Sequence, residues 1–280
     1  MAMKLVVGGS RKAATPGNIS GLRLGKKMVL YGAPAVGKTT CIAGLVKAGW
    51  DIVYVDMDGN PEPLLDLTPA EQERVTYIPL RNNSSRPTRH QALITLSDTG
   101  KLTWCPTHGL HLCPECPTSE QLEWDSKGVD WGKTIFVLDS YTAVHAACTA
   151  KAYEAHKLDD EAKLEIPHFG TVARLNVRAI DWALNSSANV IIITHRGNKR
   201  GITEKGADKY YPMLGSQNLS GNLPYLVNAL WYVNNFSSPI VAAKPLDGAV
   251  DAFTRGGAEA YAKLKPVDAV VAYFGKPKQH

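Results

Sequence analysis

Short apolar runs alternate with longer stretches of helical period along most of this chain. Met28–Tyr31 is a compact apolar run that predicts a buried strand, and Thr40–Val46 after it reads as the first turns of a helix closing near Gly49. A second run, Asp51–Gly59, predicts a strand that ends in the acids Asp56 and Asp58. Thr68-Pro69-Ala70-Glu71 has the capping-box spacing, with proline at the first helical position, and predicts a short helix. Val75–Ile78 then reads as strand and Thr88–Leu96 as helix. Thr134–Leu138 is an apolar strand ending at Asp139, followed by a helical stretch from about Tyr141 to Lys163 that Ile166–Gly170 is expected to break. Val172, Leu175, Ala179, Ile180, Ala183 and Leu184 share one face of the next helix, with Arg174, Arg178 and Asp181 off it. Asn189–Thr194 and Leu226–Val233 predict two further strands, and Lys4–Val7 a short one near the start. Residues 236–280 show little regular pattern, and the terminal GKPKQH is expected to be a flexible tail. Strands alternating with helices predict an α/β fold with a largely parallel central sheet.

Residues 97–131 depart from this rhythm. They carry three of the six tryptophans, several Pro and Gly, and three of the five cysteines within twelve residues. The expected organisation is therefore a core of 1–96 and 132–280 with 97–131 inserted. Cys105-Pro106-Thr107-His108 and Cys113-Pro114-Glu115-Cys116 give C-x2-H-x4-C-x2-C, two knuckles with four ligands for a tetrahedral zinc ion. His111 is an alternative to His108. A segment this short lacks apolar mass for its own core, so a metal would be structural there. Cys41 and Cys148 fall in predicted helices and read as core residues.

The chain of 280 residues, 44% hydrophobic and 20% charged, suits one large globular α/β unit with a small insert. No apolar run approaches a membrane span, and the first residues lack the apolar stretch of a signal peptide, so a cytoplasmic protein with no membrane partner is expected. The net charge of +5 permits a nucleic-acid partner without requiring one.

The most informative stretch is Gly32-Ala33-Pro34-Ala35-Val36-Gly37-Lys38-Thr39, which fits the G-x-x-x-x-G-K-[ST] phosphate-binding loop and lies between a predicted strand and a predicted helix. Gly32 and Gly37 allow the backbone to curl so that N–H groups, including those leading to Thr40, point at phosphate oxygens beside a helix N-terminus. Lys38 is placed to reach the β- and γ-phosphates of ATP, and Thr39 to hold magnesium. Ligands in such sheets bind at strand carboxyl ends. Asp58, Asp139 and His195 all fall at predicted carboxyl ends, so one site is expected to collect them with the loop. After His195 comes a basic, glycine-bearing stretch with Arg196, Lys199, Arg200, Lys205 and Lys209, expected to be a mobile cationic loop suited to single-stranded DNA, with Tyr210 or Tyr211 available for base stacking.

GAPAVGKTT, the strand ending DMD, IFVLDS and IIITH, in that order, resemble the core of RecA-like P-loop ATPases over roughly residues 25–96 and 132–235. RPTRHQALITL and HFGTVARLNVRAIDWAL also resemble that core, and YPMLGSQNLSGNLPYLVNALWYV is similar to the region after the second DNA-binding loop in core-only, phage-encoded members acting in single-strand annealing and recombination. The resemblance implies that Asp139 holds magnesium through water and that Asp58, in place of the usual glutamate, orients the attacking water. Asp56 would be a neighbouring structural acid, and His195 would occupy the γ-phosphate sensor position. Aspartate is one methylene shorter than glutamate, which implies slow turnover. The resemblance also implies self-association into a ring or filament, with Lys244, Arg255 or Lys263 reaching a neighbour's nucleotide, and work alongside other phage replication or recombination proteins. A ring helicase or translocase, and an ATP-gated DNA scaffold with little turnover, are the competing readings.

Overall fold

The computed structural model describes residues 25–82, 88–159, 162–199, 209–214, 226–235, 237, 253–254, 260–261 and 263–278. In chain order the elements are β1 (Lys27–Gly32), α1 (Lys38–Lys47), β2 (Asp51–Asp56), α2 (Glu62–Leu65), α3 (Pro69–Gln72), β3 (Val75–Pro79) and α4 (Arg89–Thr99). They continue with β4 (Lys101–Trp104), β5 (Leu122–Asp125), β6 (Thr134–Asp139), α5 (Tyr141–Ala155), α6 (Ile166–Asn185), β7 (Asn189–Lys199), β8 (Lys209–Pro212), β9 (Ala229–Val233), β10 (Phe253–Thr254) and α7 (Pro266–Phe274).

The central sheet has the order β10-β9-β1-β7-β6-β2-β3. From β9 to β3 every pairing is parallel, and β10 joins the β9 edge antiparallel. The apolar runs are continuous because both faces of the sheet are covered. Val29, Tyr31, Val53, Val55, Phe136, Leu138, Val190 and Ile192 face a core completed by α4, α5 and α6. Met28, Leu30, Ile52, Tyr54, Ile135, Val137, Ile191 and Ile193 face the other, completed by α1 and α7. The period-two alternation thus sorts each strand into two cores.

The 97–131 segment is fastened to this frame. Its only regular pairing is the β4–β5 hairpin, Lys101↔Asp125 to Trp104↔Leu122. Trp124 packs 5.5 Å from Phe136 and 6.2 Å from Trp182, and Trp131 lies 5.8 Å from Trp182, centroid to centroid. The segment therefore borrows its apolar support from the main core.

Several expectations are corrected. Helix α5 stops at Ala155, and Ile166–Gly170 opens α6 where a break was expected. Proline in a first turn forfeits no intrahelical bond, and Glu165 and His168 cap that turn reciprocally. The stretch after His195 begins as strand: Arg196–Lys199 prolong β7 and pair antiparallel with β8. Gly197 permits this, since a Cβ there would sit 2.6 Å from the Tyr211 ring. Strand β9 starts at Ala229, three residues later than the apolar pattern of Leu226–Val233 suggests. The C-terminal region contains α7, whose Val267 presses on Gly44 of α1. Residues 275–278 are tied down: Trp50 Nε1 donates to Gly275 O at 2.9 Å, and the Lys278 N–H donates to Gly132 O at 3.2 Å. The strand expected at Lys4–Val7 lies outside the described residues.

Phe136 is fully buried and touches both the insert and α6 through Trp124 and Trp182. Phe136→Ala should lower unfolding free energy by about 3–5 kcal/mol, read from the urea midpoint. A loss below about 1 kcal/mol would mean that this aromatic cluster does not join the insert to the core.

Candidate nucleotide site and metal cluster

The parallel strands bring the expected residues to one sheet edge. Strand β1 ends at Gly32, where a Cβ would lie 2.2 Å from Val233 O, so only glycine fits against β9. Ala33, Pro34, Ala35 and Val36 form the turn, in which Ala35 takes φ 59° and Gly37 φ 87°. These left-handed residues curl the backbone ahead of α1 as a phosphate-binding nest requires. Lys38 is 6% exposed, and its Nζ donates to Ala33 O at 2.7 Å and Gly32 O at 3.3 Å. Burial lowers its pKa, opposed by the charges of Asp139 and Asp58. Thr40 follows in the first turn of α1.

Asp139 ends β6, in register with Asp56 of β2. Its Oδ2 accepts from Thr39 Oγ1 at 2.8 Å and from the Tyr54 hydroxyl. Burial pushes the Asp139 carboxyl up to about 6, against the two hydrogen bonds that favour its charged form. The Ser140 hydroxyl beside it is fully buried and has no hydrogen-bond partner among the described residues. That orphaned oxygen suits a site that also takes a hydrated cation.

Asp58 and His195 meet across the edge, with Asp58 Oδ2 3.5 Å from His195 Nε2. Burial first, and then Lys38, lower the His195 pKa. The His195 backbone N–H donates to Thr142 Oγ1 at 2.9 Å, which fixes β7 at this point against α5. Asp56 is 1% exposed. It accepts from the Asp58 and Gly59 N–H groups, from Tyr77 OH and from Arg81 Nη2. It is a structural acid that shapes the turn bearing Asp58. Sequence reasoning missed Tyr54, Thr142 and Arg81. Tyr54 alone left a trace, because it precedes Asp56 by one strand period on the same face.

The Cys/His cluster also assembles. The ligand atoms of Cys105, His108, Cys113 and Cys116 all lie within 4.8 Å of one another, and this group could hold a metal ion. His108 Nδ1 faces the three sulfurs at 3.7, 3.5 and 3.4 Å. Its Nε2 lies 3.6 Å from Glu115, a carboxylate placed to orient a ligating ring. His111 is buried elsewhere, with Nδ1 3.0 Å from Thr103 O and Nε2 3.3 Å from Thr95 Oγ1, so the alternative resolves in favour of His108.

The cationic stretch divides. Arg196 Nη1 donates to Tyr232 OH at 2.8 Å and its guanidinium lies 4.2 Å over the Tyr210 ring, which itself stacks on Tyr232. Lys199 and Lys209 are paired positions in the β7–β8 backbone register. Arg200 and Lys205 lie outside the described residues, as do Lys244 and Arg255; Lys263 is exposed.

A strand, a left-handed phosphate loop, a helix beginning at Lys38 and an acid at the end of the next strand but one in the sheet define a P-loop nucleotide site. The AAA domain family matches residues 24–272, and the chain belongs to that family, so it is a P-loop ATPase domain. No curated protein matches the chain. One similar solved structure is described as "a prototypical ATPase from the type III secretion system of pathogenic bacteria". That likeness has 13% identity and a TM-score of 0.41, covering 76% of this chain and 54% of that one. The chain thus spans about half the length of that ATPase. Among the described residues, no helix is long and apolar enough to cross a membrane.

The raised Asp139 pKa fixes the sign of a pH effect. The unfolded carboxyl titrates near 3.8 and the folded one near about 6, so between these values the native chain holds the extra proton. Stability from this group is full below pH 3.8 and is lost as pH rises through 6. Asp139→Asn removes the buried charge, and should raise stability at pH 7.5 by about 1–3 kcal/mol without nucleotide, with the gain shrinking by pH 4. Urea unfolding at both pH values checks this; an equal gain at both would remove the charge from the explanation.

Proposed function

We propose that this chain is a magnesium-dependent RecA-like ATPase that binds single-stranded DNA, self-associates into a ring or filament, and supports phage-type recombination or annealing. The observation that carries the reading is the continuity of β7. One strand places His195 beside Asp58 in the nucleotide site and runs on, without a break, into the cationic β7–β8 ribbon. A change at the nucleotide can therefore reach the ribbon through a single backbone. Magnesium bound there would neutralise phosphate charge. Thr39 and Asp139 are the residues to hold it. Lys38 and the N–H groups of Ala33 and of residues 35–40 cradle the phosphates, Pro34 having none to offer. Asp58 orients a water, and His195 reads the γ-phosphate position.

The DNA assignment rests on Arg196, Lys199, Arg200, Lys205 and Lys209. Arg196 lies over Tyr210, and Tyr210 stacks on Tyr232, which gives this ribbon an ordered aromatic base, a platform on which nucleobases can extend the stack. ATPase rate with and without single-stranded DNA is the direct test, and a slow basal rate stimulated by DNA is expected. Neutralising all five cations should weaken single-strand binding and flatten its salt dependence. Unchanged affinity and an unchanged salt slope would remove the DNA assignment. Processive unwinding of duplex DNA would favour the translocase reading instead.

For the cluster we infer zinc in a structural role. Tetrahedral bonds of about 2.3 Å to sulfur and about 2.0 Å to nitrogen set those ligand atoms about 3.5 Å apart, close to the His108–sulfur distances. All four positions are protein ligands, which leaves no open site for substrate. Metal analysis of the purified chain should find one zinc per chain; less than half an equivalent contradicts the assignment.

A further inference from the structure

A continuous set of short contacts joins the Cys/His cluster to the nucleotide site. His108, a ligand, is followed directly by Gly109. That glycine takes φ +68°, and a Cβ there would lie 2.8 Å from Arg81 Cγ and 3.3 Å from Pro79 O, so the ligand loop sits flush against the segment leaving β3. Gly109 O accepts from the Arg81 N–H at 2.8 Å, and Gly109 N–H donates back to Cys105 O at 2.7 Å. Thr88 Oγ1 holds the Arg81 carbonyl at 2.8 Å from the other side.

The Arg81 side chain then reaches across to β2. Nη1 donates to Asp56 O at 2.7 Å and Nη2 to Asp56 Oδ2 at 2.8 Å, a two-point contact with one residue. The other carboxylate oxygen of Asp56 accepts from the Asp58 N–H at 3.1 Å and the Gly59 N–H at 2.8 Å. Gly59 takes φ +81°, and the Arg81 guanidinium lies against its open face, 3.6 Å from where a Cβ would be. The turn that presents Asp58 to His195 is thus set by Asp56, Asp56 by Arg81, and the backbone of Arg81 by the ligand loop. A bidentate guanidinium transmits orientation as well as charge, which an ammonium does not.

We propose that Arg81 is a positioning residue through which metal at Cys105, His108, Cys113 and Cys116 sets the Asp56–Gly59 turn, and so tunes ATP hydrolysis without governing ATP binding. This rests on the reading of Asp58 as the water-orienting acid and of the cluster as metal-loaded. Phosphate contacts come from the separate β1–α1 loop, so nucleotide affinity is left out of the link. A displacement of a catalytic group by a fraction of an ångström suffices to slow turnover.

The test uses the full chain, as purified and after chelator treatment. Metal content, hydrogen exchange over residues 56–59, kcat for ATP and the Kd of a fluorescent ATP analogue are read on the same samples. Metal removal should speed exchange at 56–59 and lower kcat roughly tenfold, with Kd changed less than about twofold. Arg81→Gln should reproduce both effects with its metal content intact, and chelating that variant should lower kcat no further. Arg81→Lys, which keeps charge and the backbone N–H, serves if the glutamine variant does not fold, and should show the same insensitivity to chelation. Equal exchange at 56–59 with and without metal overturns the link, as does an equal kcat loss on chelation in wild type and variant. Less than half an equivalent of metal as purified overturns it together with the metal site. An exchange difference in samples that never hydrolyse ATP supports the link and overturns only the hydrolytic role of Asp58.

Discussion

Parallel strands in matched register end at a common edge, and whatever follows them must share the space there. In this chain β1, β7, β6 and β2 are adjacent, with Gly32 opposite His195 and Asp56 opposite Asp139. The phosphate loop, the acid of β6, the histidine of β7 and the acidic turn after β2 are therefore brought together by backbone hydrogen bonding alone. Two apolar layers hold that register, since a slip of one residue would turn each strand's core face outward. The close approach of Gly32 to Val233 shows how little slack the edge contains.

Charge organises the same space. The charges of Asp139 and Asp58 oppose the lowering of the Lys38 pKa by burial, and Lys38 in turn adds to the lowering of His195. The buried lysine is held by loop carbonyls, and the buried aspartate by Thr39 and Tyr54. A site in which like and unlike charges are kept partly desolvated is poised for a polyanionic ligand with its cation, which relieves both. The same logic separates the two acids after β2. Asp56 is consumed by four protein donors, whereas Asp58 faces His195 at the edge.

Most of the frame was legible in the sequence because it depends on local chemistry. The phosphate loop, Asp139 and the strand at Asn189–Thr194 carry their own patterns of glycine, apolar run and terminal acid. The Cys/His spacing likewise announced its cluster. What stayed hidden depends on partners distant in the chain. Tyr54 and Arg81 have no motif, since their roles exist only once β2, β3 and β6 lie side by side. The choice between His108 and His111 turned on which ring the Thr95 and Thr103 neighbours capture. Pro167 read as a break because the sequence does not reveal whether a proline sits in a helix interior or in its first turn. The cationic stretch predicts a loop because glycines among charged residues suggest mobility, whereas Gly197 admits the Tyr211 ring into the β7–β8 pairing.

The central claim is that the strand-end site binds magnesium ATP through the loop that ends in Lys38 and Thr39. Calorimetric titration of ATP into the chain with magnesium, compared with Lys38→Ala, tests it most directly. One ATP per chain is expected, with an affinity at least roughly hundredfold weaker, about 2.7 kcal/mol, in the variant. Equal affinity in the two proteins would contradict it.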